Sequence, residues 1–403
     1  MPHNVDPRVL GTRLLEARKA RGMTQEKAAE QLGCSRPILI AIEKGSRPAK
    51  PDELITLAGL YGRSVHELVR PGAPNVALAP HLRAAMDAKR GESEEMVTAI
   101  DALQRWADDY RELEQLTGAK PIENFPPEVT VPIHTDISRY AEDVAYRERA
   151  WLHLGDQPIP NLRQVLEENV GLRVFYDGMP SAVAGIYAYV AELGYCVLIN
   201  RRHPRERQRL TLAHEYGHFL CDRHKPGIDY LDGEHRRPAN EIFAERFAIS
   251  FLMPEPSVRQ RFYIVASTMG DFQVADLVRL SSVFSVSVQA MTLRLEELAL
   301  IDSGAWDFLK ENKFKPQLAQ SQLNIEPAAG ESQEPYPQRY KYIAVQAFCQ
   351  GSISEGLLAR FLRTDRVTSR DIVSECLMQR DIDQGGHESM LELPFSRSLV
   401  TKH

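Results

Sequence analysis

Leu210-Thr211-Leu212-Ala213-His214-Glu215-Tyr216-Gly217-His218-Phe219-Leu220 decides how this chain is read. Two histidines and a glutamate interrupt an apolar stretch, and burying them without a metal or polar partner would be costly. On a helix, positions i and i+4 lie on one side, so the His214 and His218 imidazoles can reach one ion. Two neutral histidines leave a zinc site incomplete, because a catalytic zinc takes a third protein ligand and keeps its fourth position for water. Glu215, between them, is placed to accept a proton from that water.

Two residues compete for the third place. His224 stands where a His-Glu-x-x-His-x-x-Gly-x-x-His site has its last histidine, but that site needs glycine where this chain has Cys221. Glu241 opens Glu241-Ile242-Phe243-Ala244-Glu245-Arg246-Phe247-Ala248, a second helix with Phe243, Phe247 and Phe251 as its apolar stripe. The small Ala244 and Ala248 allow close packing on the histidine helix. Glu245, one turn on, is in reach of a ligand histidine's other nitrogen. Glutamates usually face water, yet the pattern favours Glu241.

Outward from this centre, Leu172–Tyr176 and Tyr195–Ile199 read as strands. Helices are expected from about Ser93 to Thr117, over Ser138–Leu154, after Pro204 and near Pro238. Asp276–Leu300 is helical around a Phe284–Ser287 turn. Arg70–Pro74 reads as a linker, residues 303–340 as a loose polar connection, and Tyr342–Leu377 as helical again.

Leu198-Ile199-Asn200, the Arg209–His218 run, Glu241-x-x-Ala244-x-x-Phe247-Ala248 and Leu252-Met253-Pro254 together resemble the ImmA/IrrE family of metallo-endopeptidases. Val286-Ser287 and Arg294–Leu298 resemble that family's closing helical element, so the likeness covers about residues 135–300. It departs at Phe243, where the family often has a second glutamate. The resemblance implies a minimal thermolysin-like zincin fold, zinc (Zn2+) on His214, His218 and Glu241, and Glu215 as base. It also implies limited proteolysis of regulatory proteins, often repressors, in stress or mobile-element control. In such a fold Tyr195–Ile199 would be the exposed sheet edge that takes up the substrate backbone, the alternative being a fully paired interior strand. The cluster Arg201, Arg202, Arg205, Arg207 and Arg209 reads as a solvated helix start.

Residues 8–69 read as five short helices, with Thr24 and Ser35 as N-caps and Gly22, Gly33 and Gly45 as stops. Gly22-Met23-Thr24-Gln25 through Gly33, then Ser35-Arg36 and Ile42-Glu43-Lys44-Gly45, resemble the XRE/Cro/CI helix-turn-helix family. That likeness implies a third helix in the major groove and a phosphate contact from Gln25. Family members often have polar groups where this chain has Pro37, Ile38, Ile40 and Ala41. Ser35 and Arg36 are left to reach bases, with Arg18, Arg21, Lys44, Arg47 and Lys50 as phosphate candidates. Near the end, Ser354–Leu362 and Asp365–Val367 resemble segments that follow the peptidase in fused relatives.

Charge agrees with this division. Residues 1–70 hold 12 Lys/Arg and 8 Asp/Glu, a net of +4, so the −6 of the whole chain leaves −10 for the rest. A basic head on an acidic body suits a chain whose head alone meets phosphates. The 5 cysteines are scattered and odd in number, which suggests neither a disulfide framework nor a cysteine zinc site. No run approaches the roughly 18 apolar residues of a membrane span, and a cytoplasmic setting is expected.

The expectation is an α+β chain. It has an all-helical helix-turn-helix domain (8–70), a helical linker region (71–133), the zincin domain (134–300), and a polar connection with a helical C-terminal region (301–403). Its function is that of a DNA-binding zinc endopeptidase acting on a repressor or other regulator. The alternative is a transcription regulator whose zincin domain serves as sensor or platform. Double-stranded DNA and a protein substrate are the expected partners, a homodimer is one option, and no membrane is expected.

Overall fold

The computed structural model describes residues 6–63, 65–69, 78, 82, 93–132, 136–231, 238–325, 332–382 and 388–392. The Arg70–Pro74 linker lies outside them. The chain divides into two units, one of residues 1–108 with 122–335, the other of 109–121 with 336–403.

In the first unit five helices form the N-terminal bundle: α1 (Pro7–Ala20), α2 (Gln25–Leu32), α3 (Arg36–Glu43), α4 (Pro51–Tyr61) and α5 (Val65–Val69). Thr24 caps α2 by accepting from the Lys27 amide at 3.2 Å, and Gly33 ends it at φ 70°. Ser35 holds the N-cap position of α3, but its side chain makes no capping hydrogen bond. Leu14, Ala17, Ala28, Leu39, Ile42, Leu57 and Tyr61 close the core.

The same unit holds a four-stranded sheet in the order β1-β3-β2-β4, of Arg173–Asp177, Gly194–Asn200, Val183–Val190 and Gly227–Tyr230. β3 lies parallel to β1 and antiparallel to β2, and β4 lies antiparallel to β2. This corrects one expectation: Tyr195–Ile199 sits inside the sheet, hydrogen-bonded on both sides, and β4 is the edge on the β2 side. The histidine helix (Arg205–Cys221) covers the sheet, and the glutamate helix (Ala239–Leu252) packs behind it. A further helix, Ile137–Trp151, supports both. Tyr216 donates a 2.7 Å hydrogen bond to buried Glu148, and Arg149 donates to the Phe251 carbonyl at 2.5 Å.

Two helices, Glu255–Met269 and the pair-forming Val274–Val283, continue to Val288–Glu297. No single helix among the described residues is long and apolar enough to cross a membrane. The bent pair Val274–Val283 and Val288–Glu297 passes by length and composition together. Its apolar residues Val278, Phe284, Met291 and Leu295 are nonetheless buried in the protein core.

The loose connection expected over 303–340 is corrected as well. Ala305–Glu311 and Pro316–Gln322 are helices. Leu309 is buried in the main core, and Trp306, Phe314, Leu323 and Ile325 pack on it. A few apolar anchors in a polar segment suffice to hold short helices that could not persist alone.

The second unit is a small helical assembly with helices Gln338–Cys349, Glu355–Phe361 and Arg366–Leu377 and a hairpin of Met378–Ile382 with Glu388–Glu392. Tyr340 is buried, donates to the Phe361 carbonyl at 2.9 Å and meets the Tyr110 ring edge-on at 5.4 Å. Arg339 pairs with Glu114 at 2.6 Å.

Candidate metal centre and nucleic-acid interface

The histidine helix can approach the glutamate helix because Gly217 faces Ala244. A side chain at Gly217 would place its Cβ 2.9 Å from the Ala244 backbone. At this crossing the Glu241 carboxylate comes to 3.5 Å from His214 Nε2 and 3.4 Å from His218 Nε2. The two Nε2 atoms are 3.0 Å apart. The sequence-predicted ligands thus converge. His224 does not join them, and its ring instead meets Tyr189 edge-on at 5.0 Å. The chain leaves the histidine helix at Asp222 with φ −141°, not through a left-handed turn.

These separations can be tested against zinc. With bonds of about 2.0–2.1 Å to nitrogen and oxygen, a tetrahedral ion needs donors roughly 3.3–3.4 Å apart. The observed triangle of 3.0, 3.4 and 3.5 Å fits that requirement closely. Two imidazoles and one carboxylate are also a donor set that zinc accepts in catalytic sites.

Charge at the centre is predominantly negative. Burial works to lower the His214 imidazole. The Glu241 contact and the charges of Asp229, Glu241 and Glu245 outweigh it, so His214 stands above its ordinary value. Hydrogen bonds from His214 and His218 hold the Glu241 carboxyl far below the usual range. Glu215 is fully buried, and neither carboxylate oxygen has a hydrogen-bond partner. Burial first, then the charges of Asp229 and Glu241, push it well above the ordinary carboxylate value. A buried carboxyl with no protein partner is relieved by taking up a proton, by a nearby cation or by a bound polar molecule.

Glu245 is exposed and acts on His214 through its charge. His218 Nδ1 is buried with no partner. The Tyr187 ring on β2 stacks on His218 at 5.3 Å with planes 16° apart, fixing the imidazole from the sheet side. Gly185, two residues earlier, lets the sheet lie against Glu215, since a Cβ there would stand 2.6 Å from Glu215 Oε1. Asp222 accepts from Asn240 Nδ2, tying the end of one helix to the residue before Glu241. Sequence reasoning missed Gly185, Tyr187 and Asp229 because it did not find β2 or β4. The run Val183-Ala184-Gly185-Ile186-Tyr187-Ala188-Tyr189-Val190, rich in β-branched and aromatic residues, was the available signal.

The arginine cluster divides. Arg201, Arg205 and Arg207 are exposed, as expected of a solvated helix start. Arg202 pairs with Glu95, whereas Arg209 is buried and donates to the Ile159 carbonyl.

In the N-terminal bundle several expected cations are already engaged. Arg18 is buried and donates twice to Glu43, at 2.5 and 3.0 Å, so it is a core pair rather than a phosphate ligand. Gln25 Nε2 donates to the same Glu43 at 2.9 Å. Arg47 pairs with Glu53 at 2.8 and 3.0 Å, and Glu53 also accepts from the Lys50 amide. Arg21 pairs with Asp101 at 3.2 Å. Ser35 and Arg36 are exposed at the start of α3, with Arg36 in a 3.0 Å surface pair to Glu26 that solvent weakens. Lys44 is exposed at the C-terminal end of α3.

Residues 167–296 match the family model described as the IrrE N-terminal-like domain, and residues 14–68 match that of the helix-turn-helix. No curated protein matches the chain. The crystal structure of Bacillus thuringiensis PlcR in complex with the peptide PapR7 and DNA is similar over 91% of each chain. Its identity is 11% and its TM-score 0.16, too low to carry an argument. On the two family matches, the chain carries in sequence a segment similar to the XRE-type helix-turn-helix and a segment similar to the ImmA/IrrE domain.

Proposed function

We propose that the chain is a cytoplasmic, DNA-binding, zinc-dependent endopeptidase that regulates transcription, in stress or mobile-element control, by limited proteolysis of a repressor or other regulator. The observation that carries this is the triangle of His214, His218 and Glu241 beside the partnerless carboxylate of Glu215. His214, His218 and Glu241 would hold the ion, which supplies Lewis acidity to water and to a peptide carbonyl. Glu215 accepts the proton of the attacking water and delivers it to the leaving amine. The substrate lies extended along β4, adding its backbone to that edge.

Zinc content and cleavage of whatever proteins are co-transcribed with this chain are to be measured in one sample, before and after chelation. Both are expected to vanish with chelator and return with zinc. Cleavage that survives chelation rules the proposal out. Retained zinc without cleavage of any regulator favours a sensor or platform instead.

For DNA, Ser35 and Arg36 are the groups offered to bases, while Lys44 and Lys50 stand ready for phosphates. Titration of duplexes at several salt concentrations should show steep salt dependence and modest sequence preference. Arg36→Ala should erase most of that preference, at about 1–3 kcal/mol for one bidentate guanine contact. Lys44→Ala should weaken all sequences alike and reduce the salt slope by about one. Arg47→Ala is less clean, because it also removes the partner of Glu53 at the start of α4. Failure of every duplex to bind at low salt would make the bundle a protein-docking module.

A further inference from the structure

Asp229 has no counterpart in the sequence reading. It lies on β4, directly opposite Gly185 of β2. Residues paired across an antiparallel ladder project to the same face. Gly185 faces the histidine helix, as its closeness to Glu215 Oε1 shows. The neighbouring pair Tyr187 and Gly227 obeys the same rule: the Tyr187 ring stacks on His218 and a Cβ at Gly227 would meet that ring at 2.3 Å. Asp229 therefore projects to the metal-centre face from the edge strand itself. It is half-buried, and the charges acting on His214 and Glu215 from Asp229, Glu241 and Glu245 are all negative. Asp229 thus adds a carboxylate beside that of Glu241 on this face.

We propose that Asp229 makes this site select extended peptides bearing lysine or arginine close to the scissile bond, with the substrate's cation paired to its carboxylate. The inference rests on the peptidase reading above. A basic segment is also what an acidic body of net −10 would attract over distance.

The probe is a set of dansylated eight-residue peptides on one alanine–leucine frame, each with Lys, Gln or Glu at a single position. Binding is read by anisotropy with zinc-loaded Glu215→Gln and with Glu215→Gln/Asp229→Asn, and cleavage is read with the wild type and Asp229→Asn. Lys peptides are expected to bind roughly tenfold tighter than Gln peptides and to lose that margin in the Asp229→Asn background. The margin should also shrink with added salt. Zinc content is measured in every variant.

Equal binding of Lys and Glu peptides, or a preference that survives Asp229→Asn, overturns the proposal. So does loss of zinc on Asp229→Asn, which would make Asp229 part of the metal's support. If Lys and Glu peptides bind equally while the wild type cleaves, selectivity fails and the peptidase stands. If Lys peptides bind selectively but nothing is cleaved, selectivity stands and the peptidase fails. If nothing binds and nothing is cleaved, both fail.

Discussion

Glu241→Ala is expected to strip zinc from the purified chain, whereas His224→Ala leaves the metal content unchanged. Removing Glu241 opens one corner of a triangle whose edges measure 3.0–3.5 Å and leaves only two imidazoles. Losing even a residue that merely supports a ligand typically costs about 10–100-fold in metal affinity, so losing a ligand should cost more. His224 touches Tyr189, beyond a helix end that makes no left-handed turn. Elemental analysis of both variants, with circular dichroism to establish folding, decides the matter. Zinc lost from the His224 variant alone would reverse the assignment. Glu241→Gln serves as the second variant: it keeps the shape, and weaker retention there isolates the charge.

Glu215→Gln is expected to keep zinc while cleavage falls by about 10²–10⁴-fold, the range general acid–base groups contribute. The amide is nearly isosteric with the carboxylate, so the close contact with Gly185 survives the exchange. It cannot accept and hand on a proton in the same way. The readout is a pair of numbers, zinc per chain and initial cleavage rate, taken on one preparation. Cleavage at the wild-type rate would show that Glu215 is not the base or that the activity belongs to a contaminant. Loss of zinc would show that Glu215 supports the metal instead.

What was legible in the sequence follows from the range of the forces involved. The histidine helix and Glu241 were readable because i,i+4 spacing and the small Ala244 are local facts with one geometric outcome. The five N-terminal helices were readable because Thr24, Gly22, Gly33 and Gly45 mark their ends chemically. β2 was missed because it is buried on both faces over much of its length, which removes the alternation that betrays a strand. β4 has only four half-buried residues, too few to show any period. With those two absent, no reading could tell that β3 is interior, since strand order depends on pairings between distant segments. The engaged state of Arg18 and Arg47 was hidden for the same reason: their partners Glu43 and Glu53 reach them only in the folded bundle.

Asp222 and Asn240 join two points of the chain that enclose nearly the whole segment between His218 and Glu241. Closing a segment of that length in a free chain carries an entropic cost of roughly 3 kcal/mol. Here a hydrogen bond between neighbouring side chains has already closed it, so an arriving ion finds a ring already formed and need not gather a slack chain. The closure cost falls on folding rather than on metal capture. The length of the loop between the two ligand helices is thereby uncoupled from the affinity of the site. Insertions in that loop should leave the metal centre largely indifferent to them, which frees the segment beside the edge strand to vary with the peptide it meets.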